Sequence, residues 1–363
     1  MTEKRSIFLF RRDLRLLDNP GLHAAAQNGF VMPVYILDEN IAEEFKTGSA
    51  SRWWLHHSLA DLNNALDDKL NVYRGDTQSV LLKIIQTNEI NAVYWNRCYE
   101  PWHMKKDIKI KNWLKAMGIG FKIFKASLLW EPWQVLKNDG AAYKVYTPFF
   151  RKCCSMLPIV HAILPKPKNL ICIKDSTNTM SLNDLGLING AKWEEKLKNH
   201  WIPGEVAAQR KLSEFLDKKL YGYSMNRNYP AKTNTSRLSP YLHFGEISPN
   251  QVFQAIQVHK NSYEDKDCFF KELVWREFSY YLLYYFPNLP LENLQNKFDY
   301  FPWQHNVSFL QAWQKGTTGY PIIDAGMREL WQTGFMHNRI RMVTASFLVK
   351  NLGIHWRYGA TWF

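Results

Sequence analysis

The sequence predicts an α/β domain on a doubly wound parallel sheet, Rossmann-like in type, followed by an all-α domain. Short apolar runs alternate with helical patterns over residues 1–130, which is typical of βαβ units. From residue 201 to residue 363, strand signals are absent and long, aromatic-rich helical patterns take over. Residues 131–200 are predicted to be a connector, because prolines interrupt them and Lys174–Asp184 is polar and non-periodic.

The predicted strands of the first domain are short runs rich in β-branched and aromatic residues. They are Ile7–Phe10, Pro33–Leu37, Leu70–Tyr73, Ala92–Trp95 and Phe121–Phe124. Continuous apolar runs of this length suit strands that are buried on both faces. No GxGxxG or Walker A sequence follows any of them, so a dinucleotide site of Rossmann type is not predicted.

Helices are predicted both between these strands and throughout the second domain. Leu55, Leu59, Leu62 and Leu66 form one stripe of an amphipathic helix, whereas the lysine-rich segment Pro101–Met117 predicts a solvated one. The helical patterns of the second domain include Gly204–Leu220, Pro249–Val258, Lys271–Phe286 and Met336–Leu352.

Composition narrows the class of protein. No apolar run reaches the length of a membrane span, and the N-terminus lacks a signal-peptide core, so we expect a cytoplasmic protein, in the cytosol or nucleoid. Five scattered cysteines predict reduced thiols, and neither they nor the histidines have metal-site spacing, so no metal is expected. The formal net charge of +13 attracts polyanions, although excess lysine alone equally suits a solubilising surface. Aromatic residues at 15% favour binding of unstacked bases or of a planar cofactor.

Three segments carry candidate functional residues. In TSRLSPYLHFGEISP, the hydroxyls of Thr235, Ser236 and Ser239 precede a helix, where they suit phosphate binding or ordinary N-capping. In KELVWREFSYYLLYYF, one helix face combines a carboxylate, an indole, a guanidinium and a hydroxyl, from Glu272, Trp275, Arg276 and Ser279. The structural alternative is a surface ion pair beside a core tryptophan.

The third segment is MHNRIRM. Asn338 and Met342 lie one helical turn apart, with Arg341 beside them and Arg339 directed elsewhere. The structural alternative is a basic helix N-terminus packed by a core methionine. Together, the three segments resemble the photolyase/cryptochrome family of flavoproteins along the whole chain.

The resemblance implies FAD as the cofactor. The matching positions for flavin contact are Tyr223, Thr235, Ser236, Arg237, Leu238 and Ser239. It also implies a second, antenna chromophore, a folate or a deazaflavin, with contacts near Asn96–Asp107. Trp303 and Trp356 match two members of the family's electron-transfer tryptophan chain. The third member would lie past Phe363, so the resemblance implies that the all-α domain is incomplete at its C-terminus.

For the substrate, the resemblance implies DNA containing pyrimidine dimers. Glu272 matches a glutamate that hydrogen-bonds the damaged bases and acts in catalysis, and Trp275 matches a tryptophan that stacks on them. The other matching or basic positions for DNA are Arg227, Arg276, Ser279, Asn338, Arg339, Arg341 and Met342. MHNRIRM is similar to the version found in enzymes that repair cyclobutane dimers rather than six-four photoproducts.

The resemblance implies a class I cyclobutane pyrimidine dimer photolyase, expected to be a monomer, in which photoexcited reduced FAD donates an electron to the dimer. Three alternatives remain open. One is a blue-light sensor of the cryptochrome type, and another is a truncated, flavin-deficient fragment that binds DNA. The last is an unrelated basic, aromatic-rich DNA-binding protein.

Overall fold

All five predicted strands are present in the computed structural model, which describes residues 4–156, 161–260 and 262–363. The strands are β1 (Arg5–Phe10), β2 (Phe30–Leu37), β3 (Asn71–Arg74), β4 (Ala92–Asn96) and β5 (Gly120–Phe124). They form one parallel sheet in the order β3-β2-β1-β4-β5. The predicted doubly wound parallel sheet is therefore confirmed.

The remaining regular structure of the described residues is helical. Helices of the first half are α1 (Pro20–Asn28), α2 (Ser49–Ala65), α3 (Thr77–Asn88), α4 (Pro101–Ala116) and α5 (Tyr146–Met156). The middle of the chain holds α6 (Lys192–Lys198), α7 (Glu205–Lys218), α8 (Tyr223–Asn226), α9 (Ser239–Phe244) and α10 (Pro249–Val258). The last third holds α11 (Tyr263–Tyr285), α12 (Val307–Lys315), α13 (Pro321–Thr333), α14 (Asn338–Ser346) and α15 (Trp356–Trp362).

Side-chain caps fix where several helices begin. Asp76 accepts a hydrogen bond from the Ser79 backbone N–H at the start of α3. Ser248 and Gln251 form a reciprocal capping box at the start of α10. Ser262 caps α11, which therefore begins earlier than the predicted Lys271. Each cap satisfies a backbone donor that the helix itself leaves unpaired.

The chain forms two compact units that alternate along the sequence. The first comprises Met1–Asn189, Pro203–Tyr223 and Thr235–Pro287. The second comprises Gly190–Ile202, Ser224–Asn234 and Asn288–Phe363. The sheet and α11 belong to the first unit, whereas α12 to α15 belong to the second.

Each unit has its own apolar core. Around the sheet, Ile7, Val34, Val93 and Trp95 are buried together with Leu114 of α4. β1, β2 and β4 are buried and therefore need apolar side chains on both faces, which explains their continuous apolar runs. β5 lies at the edge of the sheet and is partly exposed, so the expectation of burial on both faces was wrong for this strand.

In the second unit, buried residues of α12, α13 and α14 meet around Trp313. Gly326 allows α13 and α14 to approach closely, because a Cβ atom there would lie 2.2 Å from Cγ2 of Ile340. The helical pattern predicted for Met336–Leu352 divides into α14 and a π-helical turn at Phe347–Asn351.

Candidate functional site

Trp275 presents an exposed aromatic surface on α11. Its side chain is 46% exposed, whereas Leu273 and Val274 on the same helix are buried. The Tyr146 ring lies parallel to the indole, with ring centroids 3.6 Å apart and planes at 6°. Glu272, one helical turn before Arg276, is half-buried. The predicted combination of a carboxylate and an open indole is therefore present on this helix.

Tyr146 is held as a neutral phenol. Its hydroxyl donates a hydrogen bond of 3.0 Å to the backbone carbonyl of Lys271. Burial, and after it the negative charge of Glu272, raise the pKa of Tyr146 well above its ordinary value. The ring that backs Trp275 consequently stays uncharged at any physiological pH.

Arg276 and Ser279 are occupied by contacts within the first unit. The Arg276 guanidinium donates to the carbonyl of Ser127 at 2.8 Å and to that of Leu242 at 3.4 Å. The same group lies 4.9 Å from the centroid of the Tyr280 ring. The Ser279 hydroxyl donates to the Trp275 carbonyl at 3.0 Å. The structure thus does not bring Arg276 to the exposed surface of Trp275, and a DNA contact of this arginine stays a prediction.

Glu277 is a buried carboxylate that the sequence analysis missed. It accepts hydrogen bonds from the backbone N–H groups of Leu129, at 2.8 Å, and Trp130, at 3.3 Å. Burial raises its pKa to about 7. The signal was present in the sequence, because Glu277 follows Leu273 by one helical turn on the buried stripe of α11.

A second buried carboxylate, Glu246, was also missed. It accepts from the Trp54 indole N–H at 3.1 Å, from the Gly204 backbone N–H at 2.7 Å and from the Ser58 hydroxyl. Burial raises its pKa to about 8. Its partners come from α2 and from the start of α7, so only the tertiary structure identifies it.

The predicted flavin segment is an irregular loop that leads into α9. Arg237 has a positive φ of 54°, in the left-handed region, and Leu238 after it is right-handed. Alternation of left- and right-handed residues turns successive backbone N–H groups toward one point, a geometry that binds anions. In the described part of the chain, the Thr235 and Ser239 hydroxyls have no protein hydrogen-bond partner. These donors fit the phosphates of FAD.

Tyr223 lies in the same unit as this loop and is buried. Its ring packs edge to face against Phe215 and Phe269, with centroids 5.4 Å away in both cases. Leu238 is buried as well, whereas Thr235, Ser236 and Arg237 are half-buried. The predicted flavin residues therefore include two buried side chains, Tyr223 and Leu238, and a partly exposed loop that bears hydroxyl groups.

The remaining predicted substrate residues belong to the second unit, at the start of α14. Asn338 and Met342 are exposed, the latter at 56%. Arg339 donates two hydrogen bonds to Oδ1 of Asn228, at 3.0 and 2.7 Å. Arg339 also lies 3.8 Å from the Met342 sulfur, whereas the Arg341 guanidinium lies over the Phe363 ring at 4.7 Å. The prediction that Arg339 is directed away from Met342 was therefore wrong, because the Arg339 side chain turns along α14 toward the residue three positions on.

His337 is the N-cap of α14 and was not singled out from the sequence. Its Nδ1 accepts from the Arg339 backbone N–H at 3.2 Å. Burial, followed by the positive charges of Arg339 and Arg227, lowers the pKa of His337. The structure thus brings the predicted residues Arg227 and Arg339 close to one neutral imidazole.

The two predicted electron-transfer tryptophans contact a common neighbour. The His355 ring lies 5.0 Å from the Trp303 ring and 5.5 Å from the Trp356 ring, measured between centroids. The Trp303 indole N–H donates to the Phe298 carbonyl, and that of Trp356 donates to Oδ1 of Asn293. Burial and the charge of Arg357 lower the pKa of His355, so a neutral ring separates the two indoles.

An open cavity lies at the carboxyl ends of the parallel strands. Arg11 and Arg12 line it after β1, and Tyr35–Glu39 line it along and after β2. The strand order reverses between β1 and β4, and ligands of open α/β sheets bind at such a point. Trp102, His103 and Lys106 also line the cavity and come from the segment predicted to contact an antenna chromophore.

Charge and aromatic contacts at this cavity suit a planar, polar ligand. Phe45 stacks on Trp102, with centroids 4.5 Å apart and planes at 14°. Lys106 forms an ion pair with Asp38 at 2.7 Å. Burial lowers the pKa of His103 to about 4, against the opposing negative charge of Glu100, so its imidazole is neutral.

Metal-binding and membrane-spanning features have no candidate among the described residues. No group of three or more histidine, cysteine, aspartate or glutamate side chains is arranged to hold a metal ion there. No helix in the described ranges has the length and apolar character needed to cross a membrane. All five cysteines are free thiols.

Two family models match the chain. The model described as DNA photolyase matches residues 6–168, and the model described as the FAD binding domain of DNA photolyase matches residues 269–363. The second match begins within α11, continues through α15 and includes Trp275, Asn338 and Trp356. The chain therefore contains an FAD-binding domain of this type.

Individual relatives agree with the family models. The chain is 42% identical to the deoxyribodipyrimidine photo-lyase of Agrobacterium fabrum, over 98% of this chain and 75% of that protein. It is 38% identical to cryptochrome-2 of Arabidopsis thaliana over 99% of this chain, and it spans 62% of that protein. The crystal structure of a class III photolyase from Agrobacterium tumefaciens matches with a TM-score of 0.95 and 41% identity, over 100% of this chain and 76% of that one. This similarity does not support the predicted class I subgroup.

Proposed function

Because the chain belongs to the DNA photolyase/cryptochrome family, we propose that it repairs cyclobutane pyrimidine dimers in DNA, driven by light. The observation that best supports this proposal is that Trp275 is exposed on α11 beside the half-buried Glu272. An indole face binds a base by stacking, which contributes about 1–3 kcal/mol per base. A carboxyl group next to it supplies a hydrogen-bond partner for the polar edge of that base.

The proposed cofactor is FAD, held by Tyr223 and by the loop Thr235–Ser239. The open hydroxyls of Thr235 and Ser239 and the backbone around Arg237 would bind its phosphates. When bound, reduced FAD would supply on illumination the electron that opens the dimer, and this electron would return to the flavin after the ring has split, so that no net oxidation occurs. The residues of this chain position the two partners and exclude water, because a reactive radical pair must be shielded from solvent.

Each predicted substrate residue has a proposed role. Trp275 stacks on the extruded bases, and Glu272 bonds their polar edges. Arg227, Arg339 and Arg341 contact phosphates, Asn338 contacts the substrate, and Met342 supplies an apolar wall. A DNA contact of Arg276 and Ser279 stays part of the proposal, although both side chains donate to backbone carbonyls in this structure. Trp303 and Trp356 would serve electron transfer, and the His355 ring contacts both of their indoles.

The proposal extends to the domain organisation. Residues 1–130 would form the antenna domain, residues 131–200 the connector, and residues 201–363 the FAD- and DNA-binding domain. The cavity beside Trp102 and Lys106 would hold an antenna chromophore. We further propose that the protein acts as a monomer and groups with class III enzymes, given its 41% identity to a structure of that class.

A second candidate function is that of a blue-light sensor, supported by the 38% identity to cryptochrome-2. The two functions differ in one measurement. Purified protein, reduced and illuminated with blue light, is incubated with an oligonucleotide containing one thymine dimer, and restored thymines are quantified by chromatography. Light-dependent restoration supports the photolyase, whereas absence of repair by a flavin-loaded protein overturns it in favour of the sensor.

The flavin content of the protein is measured first, from its visible absorption spectrum. Bound flavin near one equivalent is the expected result. A colourless protein that stays colourless after incubation with FAD, yet binds DNA, would instead identify a flavin-deficient DNA-binding protein.

A further inference from the structure

We propose that Tyr146 is a positioning residue for Trp275: it fixes the indole from one side and leaves the opposite side to the DNA base. This inference rests on the proposed function, because that function assigns base stacking to Trp275. Tyr146 itself does not touch the substrate in this proposal. It acts on binding through the orientation of another side chain.

The rings of Tyr146 and Trp275 are stacked face to face. With centroids 3.6 Å apart and planes at 6°, the phenol and the indole are in van der Waals contact across their faces. No base fits between rings at this separation. Since Trp275 is still 46% exposed, its accessible surface includes the face that Tyr146 does not cover. A base can therefore stack from one direction only.

Tyr146 is itself held in place by a hydrogen bond and by neighbouring aromatic rings. Its hydroxyl is bonded to the Lys271 carbonyl of α11, while its backbone begins α5. Phe150 stacks on it at 5.7 Å and 24°, and the Phe278 ring meets it edge-on at 5.9 Å. The phenol thus joins two helices and has little freedom to reorient. The indole of Trp275 therefore packs against a ring whose own orientation is fixed.

An exposed side chain that is immobilised on binding loses conformational freedom, which lowers affinity by about two- to tenfold. Tyr146 removes this cost in advance, because the indole is already held before DNA arrives. The gain applies only to a base that stacks on Trp275. Damaged DNA with extruded bases should benefit, and intact duplex should not.

The test compares affinities for an oligonucleotide with one thymine dimer and for the same undamaged oligonucleotide, measured in the dark. Tyr146→Ala is expected to lower the ratio of the two affinities by about two- to tenfold. Tyr146→Phe loses the hydroxyl bond to Lys271 but keeps the ring and its packing against Phe150 and Phe278, so its ratio should stay closer to the wild-type value than to that of Tyr146→Ala. Tyr146→Leu keeps apolar volume without an aromatic face and should behave like the alanine variant. It replaces the alanine variant in the experiment if that protein does not fold.

The decisive comparison uses Trp275→Ala as a second background. If Tyr146 acts through Trp275, Tyr146→Ala causes no further loss when the indole is already absent. An equal loss in both backgrounds, or a wild-type ratio in folded Tyr146→Ala and Tyr146→Leu proteins, overturns the inference. A wild-type ratio for Trp275→Ala alone overturns base stacking itself, which is the failure of the proposed function rather than of the positioning step.

Discussion

Trp275 keeps 46% of its side chain exposed, although large aromatic side chains contribute most when they are buried. Its neighbour Arg276 is polar, yet it is held by the carbonyls of Ser127 and Leu242. An aromatic side chain is thus exposed while the charged side chain next to it is half-buried, and this arrangement has a physical cause. The guanidinium satisfies carbonyl groups that burial would leave unpaired, whereas the indole is supported by Tyr146 and needs no further cover.

Replacement of Trp275 by alanine should weaken binding of dimer-containing DNA and leave binding of undamaged DNA unchanged. The expected loss is about 1–3 kcal/mol, the stacking contribution of a base on an aromatic ring. Fluorescence anisotropy with the two oligonucleotides measures it. Trp133→Ala is the matched control, because Trp133 is also exposed but packs beside Tyr284 and Arg97. Equal losses on both DNAs would contradict the assignment of Trp275.

At the scale of elements, buried carboxylates connect helices to loops. Glu277 binds α11 to the backbone of residues 129–130, and Glu246 binds the turn after α9 to α2 and to the start of α7. Backbone donors in such turns have no partner within a sheet or helix, so a carboxylate that accepts from them stabilises the junction. Burial makes the protonated form of each acid the favoured one.

The stability of the first unit should therefore depend on the ionisation of Glu277. Its pKa rises from 4.5 to about 7 on folding, so its stabilising effect is complete below pH 4.5 and is lost as pH rises through 7. The shift corresponds to about 3 kcal/mol at most. Urea unfolding at pH 5 and pH 8 measures it. Glu277→Gln, which still accepts but cannot ionise, should lose less stability between these values than the wild type.

The control for this pH effect is Glu43→Gln, on an exposed side chain. It should keep the wild-type difference between pH 5 and pH 8. If Glu277→Gln also keeps that difference, Glu277 is not the titrating group.

The α13–α14 contact in the second unit gives another prediction at this scale. Gly326→Ala places a Cβ atom 2.2 Å from Ile340, which forces the helices apart and should cost about 1–3 kcal/mol. Thermal unfolding measures the change. Gly48→Ala is the control, since nothing lies within 4 Å of a Cβ atom there and its φ of −68° suits alanine. Unchanged stability of Gly326→Ala would show that the two helices shift freely.

At the scale of the whole molecule, the net charge of +13 governs the encounter with DNA. Affinity for undamaged duplex should fall steeply with salt, because each phosphate contact releases condensed counterions. Arg339→Gln should lower affinity for damaged and undamaged DNA alike and reduce the slope of log K against log salt by about 1. Titrations at several salt concentrations measure this slope.

The control is Lys109→Gln, on an exposed lysine of α4 that has no proposed DNA contact. Its salt slope should equal that of the wild type. If Arg339→Gln lowers affinity for damaged DNA only, Arg339 reads the lesion and does not hold a phosphate.

The sequence by itself determined the local structure and the class of fold. All five strands could be predicted from short runs rich in β-branched and aromatic residues, although β5 at the sheet edge is partly exposed and includes Lys122. Pro249–Val258 was predicted with its observed bounds. The motifs around Ser236, Trp275 and Asn338 were also visible as residues, because side-chain type and helical spacing are properties of the chain alone.

Only the tertiary structure decided which partner each of these side chains has. Tyr146 lies far from Trp275 in sequence, and Glu246 meets Trp54 across an even longer separation. No periodicity reports such pairs, because they depend on how helices pack after they form. The stack behind Trp275, the engagement of Arg276 and the raised pKa of two carboxylic acids all follow from that packing.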